Sequence, residues 1–97
     1  MKMHFSNHAR KRFKERFKKY IVDNNVVLSM HNTFRQSKET KAFTNNTSFM
    51  THVYETHGYD PFEIFIHEKI LFLCKKGVLI TVWSTEESMF DMRNSRF

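Results

Sequence analysis

Glycine and proline are scarce in this 97-residue chain, with two of the first and one of the second, so few positions are marked as sharp turns. There is one cysteine. That excludes an internal disulfide framework and any zinc site built on paired cysteines. No long apolar run is present. The most hydrophobic stretch, Phe62 to Trp83, is interrupted by His67, Glu68, Lys69, Lys75 and Lys76, which rules it out as a membrane-spanning helix. There is no internal repeat, no Gly-rich phosphate loop and no His-Glu-x-x-His motif. The N-terminus carries charge but no apolar segment of the kind a secretory signal needs, so the expected compartment is a reducing cytoplasm. No membrane partner, no metal and no cofactor are expected.

Acidic charge is nearly missing from the first twenty residues, which hold eight Lys or Arg against a single Glu. The rest of the chain is close to neutral, so the formal net charge of +6 is concentrated at one end. A field of this shape attracts polyanions, nucleic acid above all. What the chain does have is apolar bulk. About 40% of residues are hydrophobic and eleven are Phe. That suffices for one buried core, and the length suits a single domain spanning 1–97. The abundance of Lys, Asn and Phe points to an AT-rich source such as a phage or mobile element.

Ser6 or Asn7 caps an expected first helix. Within it Ala9, Phe13 and Phe17 recur every four residues, with Tyr20 three later, which makes one buried stripe. His8, Arg12 and Arg16 recur with the same spacing about 100° away. Lys11, Lys14 and Lys18 make a third row facing water, and Lys18 and Lys19 suit the helix C-terminus. A second helix starts after Asp23, Asn24 or Asn25, carries Val26, Met30 and Phe34, and ends between Arg35 and Phe43. Thr44 to Thr47 reads as a loop. Alternation then predicts strands over Ser48–Glu55, Phe62–His67, Ile70–Cys74 and Val78–Trp83. Glu68-Lys69 and Lys75-Lys76-Gly77 are their hairpin turns. Ser84 or Thr85 caps a short last helix, Glu86 to about Met92. Met3–Phe5 is a short strand or a lead-in. The expected fold is α+β: two N-terminal helices packed on a four-stranded antiparallel sheet, with a short C-terminal helix. The strands Ile70–Leu73 and Val78–Ile80 are apolar on both faces, so one face needs cover, and an edge strand remains. Self-association is one way to supply the cover.

The row His8, Arg12, Arg16 is the most informative constellation. Metal-free RNA cleavage needs a base for the 2′-OH proton, an acid for the 5′-oxygen, and cations for the charge that develops on phosphorus. Histidine serves the first two tasks near neutral pH, and arginine the third by bidentate contact. One helix edge supplies both residue types. Arg10, Lys11, Arg12, Lys14, Arg16, Lys18 and Lys19 together form the expected nucleic-acid-binding surface. His67, beside Glu68 at a strand end, is a further acid/base candidate, with a half-buried strand position as its plain structural role. His52 and His57 are five apart across a strand end and so are not expected to converge. Cys74 alternates with Phe72 and Ile70 and belongs to the core. Tyr54, Tyr59 and Trp83 are either core or surfaces on which bases stack.

The opening Phe5-Ser6-Asn7-His8-Ala9-Arg10-Lys11-Arg12-Phe13-Lys14-Glu15-Arg16 resembles the His-Ala-x-x-Arg-(Met/Phe)-x-x-Arg start of a small prokaryotic and phage family in the RelE/BrnT-like toxin superfamily. The late strand Gly77-Val78-Leu79-Ile80-Thr81-Val82-Trp83 is similar to the hydrophobic-Thr-Val-aromatic strand near the end of such proteins. The resemblance implies two helices on a curled antiparallel sheet, RNA as ligand or substrate, and a toxin-type endoribonuclease with His8 as acid/base and Arg12 and Arg16 on the phosphate. The chain departs from that pattern in its longer second helix and in its last strands, where Thr81, Ser84 and Thr85 are the only polar groups. Two readings result. One is a metal-independent endoribonuclease with a toxin's action. The other is a non-catalytic phage or mobile-element protein, an RNA-binding regulator or an inhibitor of a host toxin or defence nuclease, with a toxin, an antitoxin or another host protein as its partner.

Overall fold

The computed structural model of the chain describes residues 4–86, without the side chain of Thr44. The chain opens with a two-residue strand, β1 (His4–Phe5), and turns at once into helix α1 (Asn7–Arg16). Ser6 makes that turn. Its hydroxyl accepts from the Ala9 N–H at 3.1 Å, capping α1, and donates to the Ile80 carbonyl at 2.9 Å. A 3-10 turn (Lys18–Tyr20) comes next. Asp23 and Asn24 then both take left-handed φ values, 54° and 57°, which reverses the chain between the bridged pair Val22 and Asn25. Asn25 is thereby placed to cap helix α2 (Val26–Arg35) through the Leu28 N–H at 3.0 Å.

The rest of the order is strand β2 (Lys38–Thr40), a 3-10 turn (Ala42–Asn45), helix α3 (Thr47–His57), and strands β3 (Glu63–His67), β4 (Ile70–Lys75) and β5 (Val78–Ser84). The sheet runs β1-β5-β4-β3-β2. All neighbours are antiparallel except β1 with β5, which are parallel. Both expected hairpin turns form. In the second, Lys76 and Gly77 have φ of 51° and 78°, the pair of positive values a type I′ turn requires.

The expected fold class is corrected on three counts. The sheet has five strands and is mixed, not four-stranded and antiparallel, because His4–Phe5 and Lys38–Thr40 both join it. The second of these replaces the expected tail of the second helix. That helix stops at Arg35, and Ser37 closes its end by donating to the Phe34 carbonyl. Third, Ser48–Glu55 is not a strand but the body of α3, so the helices are spread through the chain. The alternation of Phe49, Thr51 and Val53 misleads because Phe49 and Val53 are also one helical turn apart, and both are fully buried. The Asn46 carboxamide accepts from the Phe49 N–H at 3.1 Å and starts the helix inside the expected Thr44–Thr47 loop. The expected C-terminal helix lies outside the described residues, except that Thr85 and Glu86 form a turn.

Helix α3 covers the second apolar face of the sheet. On one face Phe5, Ala9, Phe13, Phe17 and Met30 pack against Ile70, Phe72, Cys74, Leu79 and Val82. On the other, Phe49 and Val53 pack against Ile64, Leu71, Leu73 and Trp83. The cover that the second apolar face needs thus comes from the same chain. Each fully buried large side chain contributes about 1.5–3 kcal/mol by leaving water.

Strand β5 is irregular at one point. Leu73 pairs with Thr81 but Cys74 pairs with Leu79, so Ile80 is an extra residue in β5. This bulge turns both Ile80 and Thr81 toward the α3 side. It also leaves the Ile80 carbonyl to accept from Ser6.

Candidate functional site

Strand β1 covers only the first two residues of β5. Past Leu79, helix α1 lies along the strand instead, tied there by Ser6, whose N–H donates to the Leu79 carbonyl at 3.0 Å. Ala9 and Phe13 face the core beneath. The row about 100° round the helix, His8, Arg12 and Arg16, therefore looks across the β5 edge toward α3.

The row meets side chains from two other elements. His8, Arg12 and Arg16 line one wall of a groove of about 240 Å³. His52, Thr56 and His57 of α3 form the other wall, and Thr81 and Trp83 of β5 form the floor. The floor is buried, with Thr81 2% and Trp83 6% exposed, whereas His8, Arg16, His52 and Thr56 are open to solvent. Trp83 meets both α3 imidazoles at steep interplanar angles, with centroids 5.8 Å from His52 and 6.2 Å from His57. Phe49 packs edge-on against it at 5.5 Å. One buried aromatic thus packs beside two histidines.

The groove is cationic, and among the described residues no carboxylate lines it. Half-buried His57 feels this most. Burial, then Lys75, then His52 and His8 hold its pKa below the usual value of 6.5. At neutral pH its imidazole is unprotonated and free to accept a proton, while Arg12 and Arg16 are permanent cations. Among the described residues Arg12 has no ion-pair partner. Nowhere among them do three His, Cys, Asp or Glu side chains stand close enough together to hold a metal ion.

The other sequence candidates lie elsewhere. His67 is at the end of β3, on the α2 face with Phe65, 3.4 Å from Glu68, which also accepts from the Tyr20 hydroxyl at 3.2 Å. It does not reach the groove. Arg10 turns to the opposite flank of α1, where it donates to Asn7 and borders His4, Phe5, Val27 and His31. Lys11, Lys14, Lys18 and Lys19 are exposed on the outer face of α1 and the turn after it, with Lys19 5.4 Å from the centre of the Tyr20 ring. Cys74 is fully buried, and burial, with a smaller push from Glu63, raises its thiol to about 12, so it carries no thiolate at neutral pH.

Sequence reasoning misses His52 and His57 as site residues because the first reads as part of a strand and the second as part of the turn after it. The usable signal is the helical row His52 and Thr56, spaced i, i+4 and ending beside His57. A larger cavity of about 350 Å³ opens on the other flank of α3, floored by Met50, Phe62 and Ile64 under the stacked rings of Tyr54 and Tyr59. Glu39, Asp60 and Glu63 outnumber Lys41 in its lining and repel phosphate, so the α1–α3 groove is the better nucleic-acid site. Among the described residues no helix is long and apolar enough to cross a membrane. No protein-family model, no curated protein and no solved structure matches this chain.

Proposed function

We propose that the chain binds RNA through α1 and cleaves it, without a metal, in the groove between α1 and α3. The observation that carries this reading is the meeting of His57, His8 and His52 with Arg12 and Arg16 over one buried tryptophan, with no carboxylate among the described residues of the lining. The helix edge singled out in the sequence supplies three of these five groups, His8, Arg12 and Arg16. A different element supplies the acid/base partner that the strands lack.

The lowered pKa of His57 assigns it the role of base. Neutral His57 takes the 2′-OH proton, and the 2′-oxygen attacks the adjacent phosphorus. Arg12 and Arg16 hold the phosphate oxygens as negative charge grows on them. His8 is the matching acid and gives a proton to the departing 5′-oxygen. The products are a 2′,3′-cyclic phosphate and a free 5′-hydroxyl, and the two histidines end with their protonation exchanged. The groove and the lysines on the outer face of α1 suit a single strand, whose bases are free to turn outward.

Incubating end-labelled single-stranded RNA with the purified protein in EDTA tests the reading. Fragments ending in cyclic phosphate are expected, and they should disappear with His57→Asn. RNA that is retained on the protein but stays intact would favour the non-catalytic RNA-binding regulator. The toxin's action that the opening motif implies has its own test: over-expression should arrest growth, and His8→Ala should relieve the arrest.

A further inference from the structure

The base of this groove is held from behind by a residue that does not line it. Lys75 is the last residue of β4 and is only 9% exposed. Its Nζ donates to the carbonyl of His57, the last residue of α3. We propose that Lys75 is a positioning residue for His57: it pins the end of α3 to the sheet with the imidazole turned into the groove, and it keeps a fixed positive charge beside that ring. The inference rests on reading the groove as an RNA-cleaving site.

Three observations carry it. First, the end of α3 needs a donor. Gly58, at φ 86°, returns its own N–H to the Tyr54 carbonyl at 3.0 Å and leaves the His57 carbonyl for another partner. A cation at that end also opposes the helix dipole. Second, among the described residues no carboxylate lies within ion-pair distance of Lys75. A buried ammonium served by one backbone carbonyl is a costly way to tie down a helix, since a neutral donor would make the same bond. The bond itself does not need the charge, and the favourable dipole contact at one helix end is small beside the cost of burying it. Third, among the described residues every charged or titratable group facing His57 is basic: His8, Arg12 and Arg16 from α1, His52 from α3 and Lys75 from β4, while β5 contributes only Thr81 and Trp83. Nothing in this shell favours a protonated ring. In agreement, Lys75 is the largest cause after burial that lowers the His57 pKa.

Three variants separate the clamp from the charge. Lys75→Arg keeps both. Lys75→Gln keeps a donor without charge, and Lys75→Met keeps only the packing. The direct readout is the titration of the His57 side chain by NMR, assigned with His57→Asn, which needs no activity. Lys75→Gln and Lys75→Met should raise the His57 pKa, and Lys75→Arg should leave it in place. The acid limb of RNA cleavage should move up in step, so that cleavage below the limb slows about tenfold for every pH unit the limb moves. If Lys75→Met does not fold, Lys75→Gln decides the matter. An unchanged His57 titration in a folded Lys75→Gln would overturn the proposal, leaving Lys75 a structural clamp. So would a shifted titration that the acid limb ignores. If the wild-type protein cuts no RNA, the enzyme reading fails by itself, and the titration still decides whether Lys75 sets His57.

Discussion

At the scale of single residues, the groove divides its work by burial. Half-buried His57 is held unprotonated by its surroundings, whereas exposed His8 stands on a helix edge with two arginines. Replacing either His57 with Asn or His8 with Ala should slow cleavage by about 10²- to 10⁴-fold, the usual range for a lost acid or base, while RNA affinity changes little. Arg12→Lys should weaken both binding and cleavage, because a lysine cannot make the bidentate contact. Filter binding beside a single-turnover cleavage assay separates the two effects. The lowered His57 pKa also has a sign for stability. Below pH 6.5 the unfolded chain takes up a proton at this position that the folded chain resists. Stability should therefore fall as pH drops through that window, and His57→Asn should flatten the fall, as read from urea midpoints between about pH 7 and pH 5.

At the scale of elements, α3 and the bulge in β5 make the site. The bulge brings Thr81 to the groove floor, and Trp83 further along β5 packs against Phe49, His52 and His57. Trp83→Ala should cost about 3–5 kcal/mol and disorient both imidazoles together, so the melting temperature and cleavage should fall as a pair. The Lys76 turn has the opposite potential. A lysine at φ 51° is strained, and Lys76→Asn should stabilise the hairpin by about 1 kcal/mol in a denaturant titration. The same elements mark how far the sequence can be read. The stripe of α1 and the row beside it are legible because a ten-residue amphipathic helix repeats its pattern twice over. Strands β3 to β5 are legible because β-branched and aromatic runs are bounded by two-residue turns. Helix α3 is not, since Phe49, Thr51 and Val53 satisfy a two-residue period as well as a four-residue one. What decides it is tertiary: β4 and β5 are apolar on both faces, and a helix seated on the second face buries more than another strand at the edge. The joining of Lys38–Thr40 to the sheet leaves no trace in a three-residue polar segment. A strand reading of α3 in turn keeps His52 and His57 apart.

At the scale of the whole molecule, charge and topology agree. The basic N-terminal segment becomes one wall of the groove and its outer approach, while Glu39, Asp60 and Glu63 are gathered on the far flank of α3. Single-stranded RNA should thus be drawn to one side of the protein. Its binding constant should fall with salt at a logarithmic slope of roughly −0.7 for each phosphate neutralised. Removing the outer row with Lys11→Gln and Lys14→Gln should reduce that slope without abolishing cleavage at low salt. The most direct measurement of the central claim compares two matched oligonucleotides in EDTA. One is all RNA, and the other carries a single 2′-deoxy nucleotide at the position where the first is cut. Cleavage of the first with a cyclic-phosphate end, none of the second at that position, and none of either by His57→Asn is the predicted result. An all-RNA strand that remains whole, or cleavage that ignores the missing 2′-hydroxyl or the missing imidazole, would contradict it.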